Sequence, residues 1–338
     1  MRFWNLAFVL FLWVSSAAAA DIGPAAVRRA VEKALPLMQG SSQQFFDKSG
    51  YISCHNQSLP AMAVGLARQK GFAVDERLAQ VTVNITAAVF SPHRQNLLLA
   101  INTIPAAPEV SSYALLGLAA ENYPADEMTD AMVHDLAQKQ RADGRWHNAD
   151  SRPPLGHGSI SVTALTLRAL QLYPLEGRKE EFRKRIEQAR DWLLTAAPGS
   201  NEETSYRLQG LGWAKAKLAD IQKAAKELLA EQRQDGGWAW LPTLDSEAYS
   251  TGQALVALHQ AAGLSTTDPA CQRGAKYLLK TQLPDGSWHV KTPAMGFQPY
   301  FEDGFPHGED QWLSIAGTSW ATMGLALTVE PKNMASRR

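Results

Sequence analysis

The sequence predicts an all-α fold, a closed double ring of about twelve helices, and three observations carry that prediction. A spaced signature, Gln, then Gly four residues on, then Trp two further, occurs three times: Gln140–Gly144–Trp146, Gln232–Gly236–Trp238 and Gln282–Gly286–Trp288, with Asp143, Asp235 or Asp285 before each Gly. A run with helical spacing precedes each Gln, and a second run, nearly all apolar and small, follows each Trp. Three copies in one chain mark an internal repeat, and a repeat fixes the architecture before any residue is assigned a task.

The elements follow in order. Ahead of Gln232, Leu218, Ile221, Ala225, Leu228 and Leu229 fall on one stripe with Lys and Glu on the other face; ahead of Gln282, Ala275, Leu278 and Leu279 do the same. This is the pattern of a helix half in water. Such helices are expected near 24–38, 75–90, 126–140, 179–196, 216–232 and 268–282. The apolar runs 159–170, 249–258 and 317–327 read as helices buried all round. Their counterparts complete a set near 56–70, 110–121, 159–172, 204–215, 248–262 and 314–328. The Asp-Gly pair is expected to stop each outer helix, Gly accepting left-handed backbone. The Trp should pack back over the turn, and the Gln should bond backbone groups left free at helix ends. Around residue 197 the signature has decayed to Leu193-Leu194-Thr195-Ala196-Ala197, yet the helix pair survives. Six outer and six inner helices suit a closed ring, which protects the ends that an open solenoid must cap.

The repeated Gln-x-x-x-Gly-x-Trp after an outer helix resembles the QW motif of squalene and oxidosqualene cyclases. The (α/α)6 toroid of those enzymes is shared with protein prenyltransferase β-subunits, and the resemblance covers roughly residues 50–328. It implies a terpenoid cyclase-like toroid domain over 21–330. It says little of chemistry, because the same toroid hosts cyclases, zinc prenyltransferases, lyases and binding domains. In squalene-hopene-type cyclases an acidic Asp-x-Asp-Asp stretch precedes an inner helix, and one protonated Asp gives its proton to an alkene. Here only Asp245 and Glu247 match that pattern. Helix capping by Asp245, Ser246 or Glu247 accounts for the same residues.

The ends and the composition set further bounds. Arg2, the apolar stretch 3–14 and Ala18-Ala19-Ala20 before Asp21 read as a signal peptide over 1–20, which implies a periplasmic or secreted protein; residues 331–338 read as a tail. The stretch is short for a membrane span, and no other segment is longer and as apolar. With 33 Lys+Arg against 33 Asp+Glu, formal net charge is zero and the basic residues are dispersed, so a nucleic-acid partner is not expected. Export permits a disulfide between Cys54 and Cys271; two independent buried thiols are the other reading.

Candidate chemistry gathers where inner helices begin. Tyr51-Ile52-Ser53-Cys54-His55 resembles a c-type haem site with Tyr51 in place of the first Cys, so one thioether is missing and no haem or other cofactor is expected. No Asp-x-Cys pair of the toroidal zinc enzymes exists, and no metal site is expected. Loops leading to inner helices should open on one end of the ring. That end would collect His55, Tyr113, His157, Tyr206, Asp245, Glu247, Tyr249, His307, Asp310 and Trp312 around an apolar wall. The set suits a central small-molecule pocket, with Asp245 or Glu247 as acid, His157 or His307 as its catalytic partner, and His55, Tyr113, Tyr206, Tyr249, Asp310 and Trp312 as substrate contacts. An isoprenoid or a glycan would be the substrate; a non-catalytic binding module on the same scaffold is the alternative. The long aromatic segment 289–313 reads either as a lid over the mouth or as a plug between the last and first repeats.

Overall fold

The computed structural model describes residues 22–101, 104, 106–147, 152–156, 158–294 and 300–329. The expected signal peptide, the tail and His157 lie outside them. The described chain is helical: α1 (Pro24–Ser49), α2 (Leu59–Gln69), α3 (Glu76–Phe90), the single turn α4 (Arg94–Leu98), α5 (Glu109–Ala120), α6 (Glu127–Gln138), α7 (Ser159–Leu172), α8 (Lys179–Thr195), α9 (Asn201–Trp213), α10 (Leu218–Ala230), α11 (Ala248–Ala262), α12 (Pro269–Thr281) and α13 (Gln311–Leu327).

Helices α2, α5, α7, α9, α11 and α13 each pack against the next, and α13 packs against α2, so the inner ring closes. Around it stand α1, α3, α6, α8, α10 and α12, and α12 returns to α1. The fold is an α/α toroid. Inner-helix sequences such as 317–327 are buried along their whole length, whereas α12 buries one stripe, Ala270, Cys271, Gly274, Ala275 and Leu278. Water therefore reaches mainly the outer ring and the helix ends, and small residues let inner backbones approach. At Gly252 an added Cβ would stand 2.3 Å from the Trp320 carbonyl carbon of α13.

The signature is a staple made three times. Trp146, Trp238 and Trp288 each give the indole N–H back to a helix carbonyl ten residues earlier, Leu136, Leu228 and Leu278, at 2.6, 2.8 and 2.9 Å. Their backbone N–H groups meet the Thr163, Thr251 and Thr318 hydroxyls of the following inner helix. Each Gln amide donates to the Gly carbonyl of its own turn and also to the next outer helix: Gln140 to Arg185, Gln232 to Ala270 and Gln282 to Ala30, at 2.9, 2.9 and 2.8 Å. The third staple thus joins the last outer helix to the first.

Some expectations are refined. The outer helices stop before the Gln, at Gln138, Ala230 and Thr281, so the Asp-Gly pair bends the turn beyond the helix rather than ending it. The glycines are needed there, with φ of +94°, +92° and +99° and a neighbouring carbonyl 2.4 to 2.7 Å from any added Cβ. Helix α1 runs on to Ser49, past the expected 38 and through Pro36. A π-helical turn, Cys54–Ser58, leads into α2. Cys54 and Cys271 are both buried free thiols, so the second of the two cysteine readings holds.

Candidate functional site

Every inner helix runs the same way, because an outer helix returns the chain between two of them. Their N-termini therefore share one end of the ring, and the side chains one turn inside meet on the axis. Tyr113 of α5 and Tyr206 of α9 belong to helices separated by α7, and their hydroxyls hydrogen-bond across the ring at 2.5 Å. Trp320 of α13 packs edge-on against Tyr206 at 6.2 Å and against Tyr249 of α11 at 6.5 Å between ring centroids. All four rings are fully buried. Burial holds the three phenols well above the usual tyrosine pKa, as neutral donors.

Two carboxyls sit among these rings. Glu109 precedes Tyr113, and Glu202 precedes Tyr206, by four residues on the same helix face. Both are buried, Glu202 to 1% exposure. The Tyr249 hydroxyl donates to Glu202 Oε1 at 3.0 Å; the buried Oε2 makes no hydrogen bond of ordinary geometry, and the Ser161 hydroxyl lies near enough to the carboxyl to favour its charged form. Burial, and then the charge of Glu109, push the Glu202 pKa well above the carboxylate range, against the lowering effect of the Tyr249 bond. Burial therefore favours the neutral acid over the carboxylate at Glu202. Cys54 adjoins this group; burial first, then Glu109, push its thiol up to about 12, so it is no nucleophile.

The mouth above is built from the first and last repeats. His55 is buried, its ring edge-on to Phe45 at 5.6 Å and Trp312 at 5.7 Å. Burial and the Arg152 charge hold it well below the usual histidine pKa, as a neutral base. Its Nδ1 is paired with Asn56 Oδ1, and the Asn56 amide donates to Ser41 Oγ at 2.9 Å and Asp303 Oδ2 at 3.1 Å. The Arg152 guanidinium lies 4.8 Å from the centroid of the Trp312 ring. These neighbours surround His55, and Tyr51, where a second thioether would be needed, is 70% exposed. Among the described residues, no three His, Cys, Asp or Glu side chains are grouped to hold a metal ion.

The remaining sequence candidates fall elsewhere. Asp245 is exposed in the turn 241–246 before α11, outside the tyrosine cluster. Glu247 caps α11, accepting from the Ser250 and Tyr249 backbone N–H groups at 2.9 and 2.5 Å. Burial raises its pKa to about 7 against those donors. His307 hydrogen-bonds Ser287 Oγ at 2.8 Å and stacks on His289 at 4.7 Å; His289 pairs with Asp310 at 2.7 Å. That half-exposed cluster anchors the last long loop to the third staple. Residues 300–305 of the same loop lie against α1, where Asp303 meets Ser41 and Phe301 meets Phe45, a seam between last and first repeats. At the other end of the ring, a surface cleft of about 450 Å³ is lined by Arg68, Glu76, Val83, Glu121 and Tyr123.

Glu109, Glu202, Arg152 and Trp320 escaped the reading of the sequence. The signal available was a Glu four residues before a Tyr at the start of two inner helices.

Comparison with solved structures bears out the fold. A variant of the type II terpene cyclase MstE from Scytonema, in complex with geranylgeranyl dihydroxybenzoate, superimposes with a TM-score of 0.57 at 15% identity, covering 90% of this chain and 99% of that one. A protein from Actinoplanes gives 0.55 at 14%, covering 90% and 99%. The ent-copalyl diphosphate synthase from Streptomyces platensis gives 0.52 at 18%, covering 80% of this chain and 50% of that one. No family model and no curated protein matches the chain.

Proposed function

We propose that this chain is an acid catalyst acting on an isoprenoid-type small molecule held where the inner helices begin, with Glu202 as the proton donor. The observation that carries the reading is the Glu202 carboxyl: buried on the axis, its neutral form favoured by that burial, one oxygen held by Tyr249 and the other without a hydrogen bond of ordinary geometry. A proton on that second oxygen is available to a carbon–carbon double bond placed beside it, and the aromatic faces of Tyr206, Tyr249 and Trp320 favour the cation that forms. The cyclase MstE, with its geranylgeranyl substrate, supports this choice over a glycan. The acid role moves from Asp245 and Glu247 to Glu202, because Asp245 is exposed and Glu247 is engaged as a helix cap.

Turnover of farnesol and geranylgeraniol, followed by product mass spectrometry, tests the assignment. Glu202→Gln should lower the rate by about 10² or more, while Asp245→Asn leaves it unchanged. A Glu202→Gln enzyme working at the wild-type rate would sink it. The complete burial of Tyr113, Tyr206 and Tyr249 around Trp320 favours a second reading, a non-catalytic binding module; ligand recovered chemically unchanged from a tight complex is its signature. Export is part of the proposal, and an intact mass beginning at Asp21 from native periplasm checks it.

A further inference from the structure

Beneath the tyrosines the ring interior is not lined as a hydrocarbon site would be. Cross-ring contacts fix which stripes face the axis: Tyr206 with Tyr113, and Trp320 with Tyr206 and Tyr249. Gln209 lies three residues beyond Tyr206, and Gln253 four beyond Tyr249, so both stay on those stripes one turn deeper. Both are buried, to 2% and 0%. Gln253 leaves its amide nitrogen and its amide oxygen without partners; Gln209 Nε2 and the Trp320 indole N–H are likewise unpartnered. For Gln253 the conclusion does not depend on which way the amide is turned, since both atoms are orphaned. Buried polar atoms are nearly always hydrogen-bonded, and leaving several unpaired in one layer is unfavourable to the fold.

We propose that this layer recognises an uncharged oxygen on the substrate, an alcohol, ketone or quinone oxygen. Gln253 and Trp320 donate to it, and Gln209 flanks it. The inference rests on the isoprenoid reading above and narrows it. An all-hydrocarbon polyene would bury these amides unpaired. A diphosphate or carboxylate would bring negative charge close to the buried Glu109, whose charge already acts on Glu202 and Cys54. The inner-helix arginines are engaged elsewhere: Arg68 with Glu76 and Glu121, Arg168 with Trp213 and Gln171, and Arg207 with Glu227.

Three matched probes decide it: farnesol, farnesene and farnesyl diphosphate, titrated against wild type and against Gln253→Leu and Gln253→Met by tryptophan fluorescence. Wild type should bind farnesol about tenfold or more tighter than either other probe, and both variants should bind farnesol and farnesene alike. In the absence of ligand, Gln253→Leu should unfold at a higher temperature than wild type, because it removes two orphaned atoms. Farnesene binding wild type as well as farnesol overturns the inference and leaves the catalytic reading standing. So does a Gln253→Leu protein that unfolds at a lower temperature, which would show the amide to be partnered within the folded chain. If wild type binds none of the three, the isoprenoid reading fails and this inference falls with it.

Discussion

Glu202 shows how far one residue departs from what its neighbours in sequence suggest. A Glu in the first turn of a helix is the ordinary arrangement, favoured by the helix dipole. Nothing local to residues 200–206 says that this turn points into the ring rather than into water, which is why the site's carboxyls were hidden while its tyrosines were legible. The consequence is a pH dependence of definite sign. The unfolded chain loses the Glu202 proton near the ordinary 4.5, whereas the folded chain keeps it to a much higher pH. Between those two values the folded state binds more protons, so stability falls as pH rises through that window. Glu202→Gln removes this effect. Its stability relative to wild type, measured by urea unfolding at a series of pH values, should therefore improve steadily as pH rises above 4.5; a constant difference would contradict the burial argument. Activity needs the protonated acid and should be lost as pH rises through the folded pKa. Glu109→Gln withdraws a negative charge that raises that pKa, so the alkaline limb of the rate profile should move to lower pH.

At the scale of elements, nearly every helix was legible, because period 3.6 alternates between half-wet and fully apolar runs along the chain and the signature marks three of the joints between them. The reading failed where a segment has no repeat partner, as in the turn 94–98 and the long run of α1 to Ser49. It also gave the Gly the wrong task. The positive φ was correctly anticipated, but its reason is the tight approach of the next outer helix. At Gly236 an added Cβ would stand 2.6 Å from the Arg273 carbonyl oxygen, with φ at +92°. Gly236→Ala should then cost roughly 3 kcal/mol, from left-handed strain plus a steric clash with backbone that cannot step aside. Gly263→Ala is the control, since its φ of +66° carries similar strain but nothing lies within 4 Å of the added methyl. Chemical denaturation of the pair separates the two contributions, and equal losses would show that the close approach contributes nothing.

The ring as a whole depends on a seam that no single repeat specifies. Sequence periodicity predicted that the ends meet, but not how, since the contacts join residues about 250 positions apart. Two devices make the joint. Gln282 reaches Ala30 with the same staple used between other outer helices. The buried Asp303 has no counterpart in the earlier repeats. It accepts from Ser41 Oγ at 3.3 Å, Asn56 Nδ2 at 3.1 Å and the Phe305 N–H at 2.9 Å, and through Asn56 it sets the orientation of His55. Closing the ring and shaping the mouth of the site are therefore one structural act. Asp303→Ala takes the acceptor from the Phe305 N–H and leaves Ser41 with the residue 303 backbone carbonyl and Asn56 with the Ser41 hydroxyl, and should destabilise by roughly 2 kcal/mol. The loss should not be uniform. Hydrogen exchange should accelerate in α1, in the turn Cys54–Ser58 and at the start of α13, while α7 and α9 on the far side of the ring keep their protection, because a toroid with one open joint still holds its remaining neighbours. Acceleration spread evenly over all inner helices would instead mean that the ring unfolds as one unit, with the seam no weaker than any other interface.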